Sequence, residues 1–242
     1  MGGFSLKKYI FIVVLICAVI AVSGCIGPQG SGSGNVVNTT KNVSGFNQVN
    51  LSGTGTLIIT QGNNESLVVE AEDNIGPKIT TTVSNNELIL NQNNTPIPTK
   101  PIKYYLTVKD LNRIQVDGAG QIQSDKLKTK NMTIIMNGAG QSNLKNLNVA
   151  LLTITINGAG KLNMSGTATN QTIKINGAGN YNAGNLTSKT TSINIDGGGN
   201  VVVRVSDLLN VMINGAGDIS YIGNPQINRQ INGVGNIKQI TG

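Results

Sequence analysis

The chain has 242 residues, of which 31 are Gly and 34 are Asn, and its formal net charge is +7. Aromatic residues make up 3% and charged residues 12%, and there is no His and no Trp. The missing His excludes Ser-His and Cys-His catalysis and His-based zinc sites. Since turn formers and β-branched residues outnumber strong helix formers, the composition predicts an all-β chain with many turns.

The N-terminal segment 1–24 has the pattern of a secretory signal peptide. Lys7 and Lys8 form a basic start, and the uncharged apolar run 9–22 is shorter than the about 20 residues that span a bilayer. The segment VSGC, which ends at Cys25, resembles the lipobox of prokaryotic lipoproteins. That resemblance implies cleavage before Cys25 and lipid attachment to its sulfur. An uncleaved signal anchor and plain secretion are the alternatives.

Cleavage leaves a mature chain that is extracytoplasmic and anchored to the cell membrane. Cys17 leaves with the signal, so no internal disulfide is expected, and the net charge falls from +7 to +5. Residues 25–43 are rich in Gly, Ser, Asn and Thr without an apolar period, which predicts a flexible, lipid-anchored tether. Residues 44–242 are expected to form the folded domain.

An internal repeat dominates residues 116–242. A corner motif, apolar-Asn/Asp-Gly-small-Gly, occurs seven times, and the sequence numbers of its Asn/Asp positions rise by 20, 20, 19, 20, 18 and 18. Apolar residues alternate on both sides of each copy, as in strands with one buried face. The sequence therefore predicts an all-β, right-handed parallel β-helix, or β-solenoid, with coils of about 18–20 residues. The Asn/Asp positions are Asp117, Asn137, Asn157, Asn176, Asp196, Asn214 and Asn232.

Stacked coils predict two further features of the motif. Asn137, Asn157 and Asn176 are expected to form a ladder of side-chain amides. Asn-Gly and Asp-Gly favour positive φ, which predicts a sharp turn at each corner. Ser142 departs from the apolar pattern that the other copies follow after the motif.

Residues 44–115 are expected to be an irregular N-terminal section of the same domain. Residues 51–55 look like a degenerate first copy of the motif. Residues 57–60 and 67–70 are predicted to be strands joined by a turn, and 79–83 and 88–90 to form a second hairpin.

The order of these features resembles a known family. Residues 46–49 open the domain, a strand-turn-strand and then residues 86–90 follow, and residues 109–114 lead into repeated Gly-Ala-Gly corners. Over about residues 44–242 this resembles the family labelled putative autotransporter adhesin, head GIN domain. The resemblance implies a β-helical fold and an envelope location, and it carries no catalytic motif.

The acidic residues do not predict an enzyme or a metal site. Asp117 and Asp196 lie four coils apart, about 19 Å at about 4.8 Å per coil, whereas glycosidase carboxylates lie within about 10 Å. Calcium-binding β-rolls repeat an Asp after their glycines, and here Asp218 alone follows a Gly-Ala-Gly. We expect no catalysis, cofactor or metal, with a polysaccharide-acting enzyme as a remote alternative.

Nucleic acid is not an expected partner, because the basic residues are scattered and aromatic residues are scarce. Asn-x-Ser/Thr sequons are candidates for N-glycosylation in a host that glycosylates surface proteins. These sequons begin at Asn38, Asn42, Asn50, Asn64, Asn93, Asn131, Asn163, Asn170 and Asn185.

Two hypotheses of function follow. The first is a lipid-anchored, non-catalytic, adhesin-like surface protein that binds an envelope glycan or a surface protein. The second is a structural envelope protein that forms homo-oligomers through an exposed coil edge, since 237–242 show no obvious cap.

Overall fold

The structure, a computed structural model, describes residues 30–242, and residues 31–242 form one compact unit. Strands account for 69% of the described residues and helix for 1%, and the strands form a β-solenoid of about six turns. The predicted all-β solenoid is therefore confirmed. The signal peptide and Cys25 lie outside the described residues. None of the helical structure within 30–242 is long and apolar enough to cross a membrane.

The strands are numbered in chain order. Their bounds are β1 (Val36–Lys41), β2 (Gln48–Ser52), β3 (Thr54–Gln61), β4 (Ser66–Glu72), β5 (Thr80–Ser84), β6 (Glu87–Asn91), β7 (Lys103–Val108), β8 (Arg113–Val116), β9 (Ala119–Ser124), β10 (Leu127–Met136), β11 (Gln141–Ile156), β12 (Lys161–Ile175), β13 (Ala178–Ile195), β14 (Gly198–Ile213), β15 (Ala216–Ile222), β16 (Gln226–Ile231) and β17 (Val234–Gln239). A 3-10 turn spans Gly76–Lys78.

The corner motif joins two sides of the solenoid. The strands that precede the motifs form one side, called the pre-corner sheet, and the strands that follow them form the other, called the post-corner sheet. The pre-corner sheet runs β5-β6-β2-β8-β10-β11-β12-β13-β14-β16. The post-corner sheet runs β1-β4-β7-β3-β9-β11-β12-β13-β14-β15-β17. Strands β10–β14 also contribute a short third side, where residues 127–129 of β10 pair with 147–149 of β11. The solenoid is therefore a stack of parallel strands, with antiparallel pairs in its N-terminal section.

Strand register confirms the predicted coil length. Three positions before the Asn or Asp of the first six motifs lies a further apolar residue. Each of these residues pairs with the equivalent residue of a neighbouring coil, at a sequence separation of 18–20. These side chains are at most 5% exposed and form an aliphatic ladder. Burying each contributes about 1.5–3 kcal/mol, so the repeat is a core pattern. The ladder consists of Ile114, Ile134, Ile154, Ile173, Ile193 and Val211.

The corner glycines are required for a reason that differs from the predicted one. None of the glycines in the seven corner motifs has a positive φ, so the expected left-handed turn is wrong. Instead, the first glycine of each motif lies against the backbone of the coil before it. A Cβ on Gly138 would lie 1.9 Å from the carbonyl oxygen of Gly118. Only a residue without a Cβ permits coils to stack this closely at the corner.

Ser142 interrupts an inner row of apolar side chains. It pairs with Ile122 on one side and Leu162 on the other, and it is 1% exposed. Its hydroxyl has no hydrogen-bond partner. We expect Ser142→Ala to stabilise the protein by about 1 kcal/mol, because it removes a buried polar group that is unpaired.

Chemical unfolding followed by circular dichroism measures the change. Ser188→Ala is the matched control, since Ser188 is equally buried but hydrogen-bonds to Thr191 and to the carbonyl oxygen of Arg204. Ser188→Ala should destabilise the protein by about 1 kcal/mol. Equal losses in both variants would contradict the assignment of Ser142 as an unpaired group.

The tether prediction is wrong for residues 36–41. These residues form β1, which pairs antiparallel with β4. The sequence VVNTTK supplies β-branched residues that favour a strand once a partner edge is present. Glu72 of β4 ties down the preceding loop, because its carboxylate accepts hydrogen bonds from the N–H groups of Gly34 (2.7 Å) and Thr99 (2.9 Å) and from the Thr99 hydroxyl (2.5 Å).

The predicted turn between β3 and β4 does not make them a hairpin. Strand β7 lies between them, parallel to β3 and antiparallel to β4. The second hairpin is confirmed, since β5 and β6 pair antiparallel around Asn85 and Asn86, which both have positive φ. The degenerate first copy is also confirmed, because Leu51 pairs with Val116 and Gly55 with Gly120.

Candidate binding cleft

The predicted amide ladder is present on the outer surface of the corners. Each Asn donates from Nδ2 to the Oδ1 of the Asn or Asp one coil earlier. Asp196 has no amide N–H to donate to Asn176, so the ladder has two runs. The distances are 2.6 Å for Asn137–Asp117, 2.7 Å for Asn157–Asn137, 2.6 Å for Asn176–Asn157, 2.7 Å for Asn214–Asp196 and 2.8 Å for Asn232–Asn214.

Asp117 begins the first run as an acceptor. Burial alone would raise the pKa of its carboxyl, but hydrogen bonds from Asn137 and Gln115 outweigh burial and hold the pKa below its usual value. The group is therefore an ionised acceptor at neutral pH. Its partners are amides of the ladder, so its arrangement is that of a structural group.

The acidic residues of the corners do not come together in one site. Asp117 and Asp196 belong to the two different ladder runs, four coils apart, as the sequence predicts. Within residues 30–242, no group of three or more His, Cys, Asp or Glu side chains is close enough to hold a metal ion.

The sequon asparagines differ in accessibility. Asn163 is half-buried, and Asn50 lies within β2 between β6 and β8, with its Oδ1 buried. The structure thus leaves the exposed sequons as the accessible candidates. Exposed sequon positions are Asn38, Asn42, Asn64, Asn93, Asn131, Asn170 and Asn185.

A cleft opens where the chain leaves the solenoid. After β3 the chain departs at Gly62 toward β4, so the first coil contributes no strand to the third side. The resulting cleft has a volume of about 690 Å³. It lies at the carboxyl ends of β7, β3 and β9 and at the end of the post-corner part of β11, residues 141–144, which are parallel neighbours.

Gln61 closes the floor of this cleft. Its Oε1 accepts from the backbone N–H of Lys128 at 2.8 Å, and its Nε2 donates to the carbonyl oxygens of Lys128 at 2.9 Å and Lys109 at 3.1 Å. The carboxamide thus makes with Lys128 the pair of hydrogen bonds that a neighbouring strand would make. The Gln61 side chain therefore satisfies the backbone N–H and C=O groups of Lys128 on the free edge of β10. Such groups are otherwise unpaired at an exposed sheet edge.

Four lysines surround the opening, and we call the site the lysine cleft. Lys109, Lys126, Lys128 and Lys145 line it together with one acidic residue, Asp125. Lys145 pairs with Asp125 at 3.2 Å, and both side chains are well exposed. The remaining lining side chains include amides and hydroxyls, and none is aromatic.

The cleft was not predicted from the sequence, along which the basic residues are scattered. The fold brings four of them together, because the ends of neighbouring strands meet at one edge. A signal was present: Lys109, Lys126 and Lys145 follow each other at sequence separations of 17 and 19, close to the coil period. A charged residue that recurs at the repeat period predicts a row of charge along the stack.

A family profile described as putative auto-transporter adhesin, head GIN domain, matches residues 45–225. The chain belongs to this family. The family resemblance drawn from the sequence is therefore confirmed. No curated protein gives a match.

Solved structures share the head GIN domain fold. A putative adhesin from Bacteroides fragilis NCTC 9343 has a TM-score of 0.82 and 27% identity, and the match covers 87% of this chain and 99% of that one. A putative lipid binding protein from Parabacteroides distasonis ATCC 8503 has a TM-score of 0.69 and 20% identity, with 87% and 98% covered. A putative adhesin from Parabacteroides merdae ATCC 43184 has a TM-score of 0.64 and 18% identity, with 88% and 100% covered.

Membership of the head GIN domain family indicates an adhesin-like, non-catalytic role and a surface or extracytoplasmic location. At 20% and 18% identity, the two Parabacteroides structures show the fold alone.

Proposed function

We propose that this head GIN domain protein is a lipid-anchored, extracytoplasmic, non-catalytic adhesin that uses its solenoid to bind an envelope glycan or a surface protein. The observation that carries the proposal is the lysine cleft, a charged concave surface on a rigid stack of paired strands. Sites on rigid elements bind without a large ordering cost.

The sequence and the relatives support the proposal. The lipobox-like segment that ends at Cys25 provides the anchor, and the family label describes an adhesin. The B. fragilis structure is described as a putative adhesin, whereas one P. distasonis structure is described as a lipid binding protein. A non-catalytic role is consistent with exposed lysines around the cleft, since catalytic lysines are usually desolvated to adjust their pKa.

The lipid anchor predicts a specific effect of Cys25→Ala. In a prokaryotic host that processes lipoproteins, the native chain should incorporate radiolabelled palmitate. The variant has no thiol to alkylate and should incorporate none. Immunoprecipitation followed by autoradiography measures the change, and Cys17→Ala, which should stay labelled, is the matched control.

The lipid anchor and the adhesin role are tested by separate experiments, so either can be disproved without the other. If Cys25→Ala incorporates as much labelled palmitate as the native chain, or if the native chain incorporates none, the lipid anchor on Cys25 is disproved. Adhesion is measured by applying intact cells that display the chain to a glycan array and to immobilised envelope proteins. Binding no stronger than that of cells without the chain would disprove the adhesin role.

The final coil favours self-association as a second candidate function. Strands β16 and β17 pair on one side each, and their other edges have no strand partner within residues 30–242. Ile231 is 40% exposed and Val234 77% exposed beside these edges. Unpaired edges with apolar side chains are templates for another chain. A concentration-dependent dimer in sedimentation equilibrium would support this candidate, and a monomer at all concentrations would remove it.

A further inference from the structure

We propose that the lysine cleft binds an acidic polysaccharide, a polymer with repeated carboxylate or sulfate groups. This inference rests on the proposed adhesin function and names the class of ligand for it. The site consists of Lys109 and Lys126, which follow β7 and β9, Lys145, which follows the post-corner part of β11, and Lys128 of β10.

The positive charge of the cleft is largely uncompensated. Ion pairs within residues 30–242 join Lys103 to Glu70 and Lys145 to Asp125. Lys109, Lys126 and Lys128 have no carboxylate partner in that part of the chain. The preceding residues, 1–29, contain no Asp or Glu that could pair with them. An anionic ligand therefore meets lysines that are free to bind it.

The arrangement of the strand ends favours a linear polymer over a single small anion. Neighbouring strands lie about 4.8 Å apart, so the ends of β7, β3 and β9 and of the post-corner part of β11, residues 141–144, extend over about 14 Å. Lysines stand at the first, third and fourth of these ends, and Lys128 lies beside them on the third side. A chain with repeated negative groups can contact several of these lysines at once, and each further contact is effectively intramolecular.

The remaining lining favours a sugar over a nucleic acid. Gln123, Asn63 and Asn143 provide amides that bind hydroxyl groups. Single-stranded nucleic acids need aromatic side chains on which bases stack, and this lining has none. The volume of about 690 Å³ lies within the range of about 300–1,000 Å³ for ligand clefts.

Binding is tested with the full-length protein in a neutral detergent. The probes are polygalacturonate, dextran sulfate and uncharged dextran of similar length, each labelled for fluorescence anisotropy. We expect binding of polygalacturonate, dextran sulfate or both, and no binding of dextran. Binding should weaken as salt rises from 0.1 to 1 M, because the screening length falls from about 10 to about 3 Å.

Charge-removing variants locate the site. Lys126→Gln with Lys128→Gln should weaken binding about tenfold, since exposed ion pairs contribute up to about 1 kcal/mol each. Lys174→Gln with Lys189→Gln removes the same charge from exposed positions outside the cleft and should change Kd less than twofold. Melting curves establish that both variants are folded.

Four results would overturn the inference. These are failure of both acidic polymers to bind, equal weakening in the two double variants, tighter binding of labelled single-stranded DNA than of the acidic polymers, and tighter binding of phosphatidylglycerol in mixed micelles of the same detergent than of the acidic polymers. None of them removes the adhesin function, because adhesion of intact cells to neutral glycans or to envelope proteins is measured separately.

Discussion

Gly158→Ala should destabilise the protein by about 3 kcal/mol, near the upper end of overpacking costs. A Cβ at this position would lie 2.2 Å from the carbonyl oxygen of Gly138 and 2.6 Å from that of Asn137. Both obstacles are backbone atoms in the coil before it, so no side chain can rotate away. Relief requires the two coils to separate, which lengthens the neighbouring ladder bond between Asn157 and Asn137. The midpoint of chemical unfolding measures the loss.

Gly184→Ala is the control for Gly158→Ala. Its Cβ would lie 3.4 Å from Cγ1 of Val202 and 3.5 Å from Cδ1 of Ile222, which are ordinary contacts. This variant should be neutral or stabilising by up to about 1 kcal/mol, because alanine restricts the unfolded chain. If Gly158→Ala were as stable as Gly184→Ala, close stacking would not be the reason for the corner glycines.

Glu72→Gln should release the segment before β1 and lower Tm at pH 7 by several degrees. The carboxylate is an acceptor for donors from Gly34 and Thr99. A glutamine has one acceptor oxygen, and its NH₂ group would face donors that it cannot satisfy. Hydrogen exchange should rise in residues 31–35 and 98–100. Glu87→Gln is the control, since Glu87 is half-buried in β6 without such a network.

The effect of Glu72→Gln should depend on pH. The hydrogen bond from the Thr99 hydroxyl, with those from backbone N–H groups, holds the pKa of Glu72 below its usual value of 4.5. A lowered pKa contributes stability above the unfolded value, and the contribution is lost as pH falls through the folded value. The difference in Tm between native chain and variant should therefore be full at pH 7 and shrink below about pH 4.5. A difference that is constant from pH 7 to pH 3 would contradict this role of the ionised carboxylate.

The sequence predicts the regular coils well, because each coil repeats the same local rule. The coil period, the buried aliphatic rows and the amide ladder all depend on neighbours one coil away. A periodic sequence brings those neighbours together automatically. The reason for the glycines was not predictable, because the coil-to-coil distance at the corner is set by the packing of whole coils.

The N-terminal section and the lysine cleft were not predictable by the same rule. Strand β7 inserts between β3 and β4, although a hairpin and a loop separate it from β4 in the chain. Strand β1 has a β-branched sequence, but its partner edge on β4 comes from distant chain. The cleft exists because the chain leaves the solenoid at Gly62. Nothing in the local sequence around Gln61 indicates that its side chain pairs with Lys128, 67 positions away. Such features depend on long-range pairing, which local patterns do not specify.

The position of β2 and β3 between later strands sets an order for folding. Val49 pairs with Leu88 on one side and Ile114 on the other, whereas residues of later coils pair with partners 18–20 positions away. Closing the longer loops costs more entropy and slows the step. The first strands therefore pair late although they are made first. We expect the regular coils, whose pairings are local, to form before the N-terminal section closes onto them in the slow step.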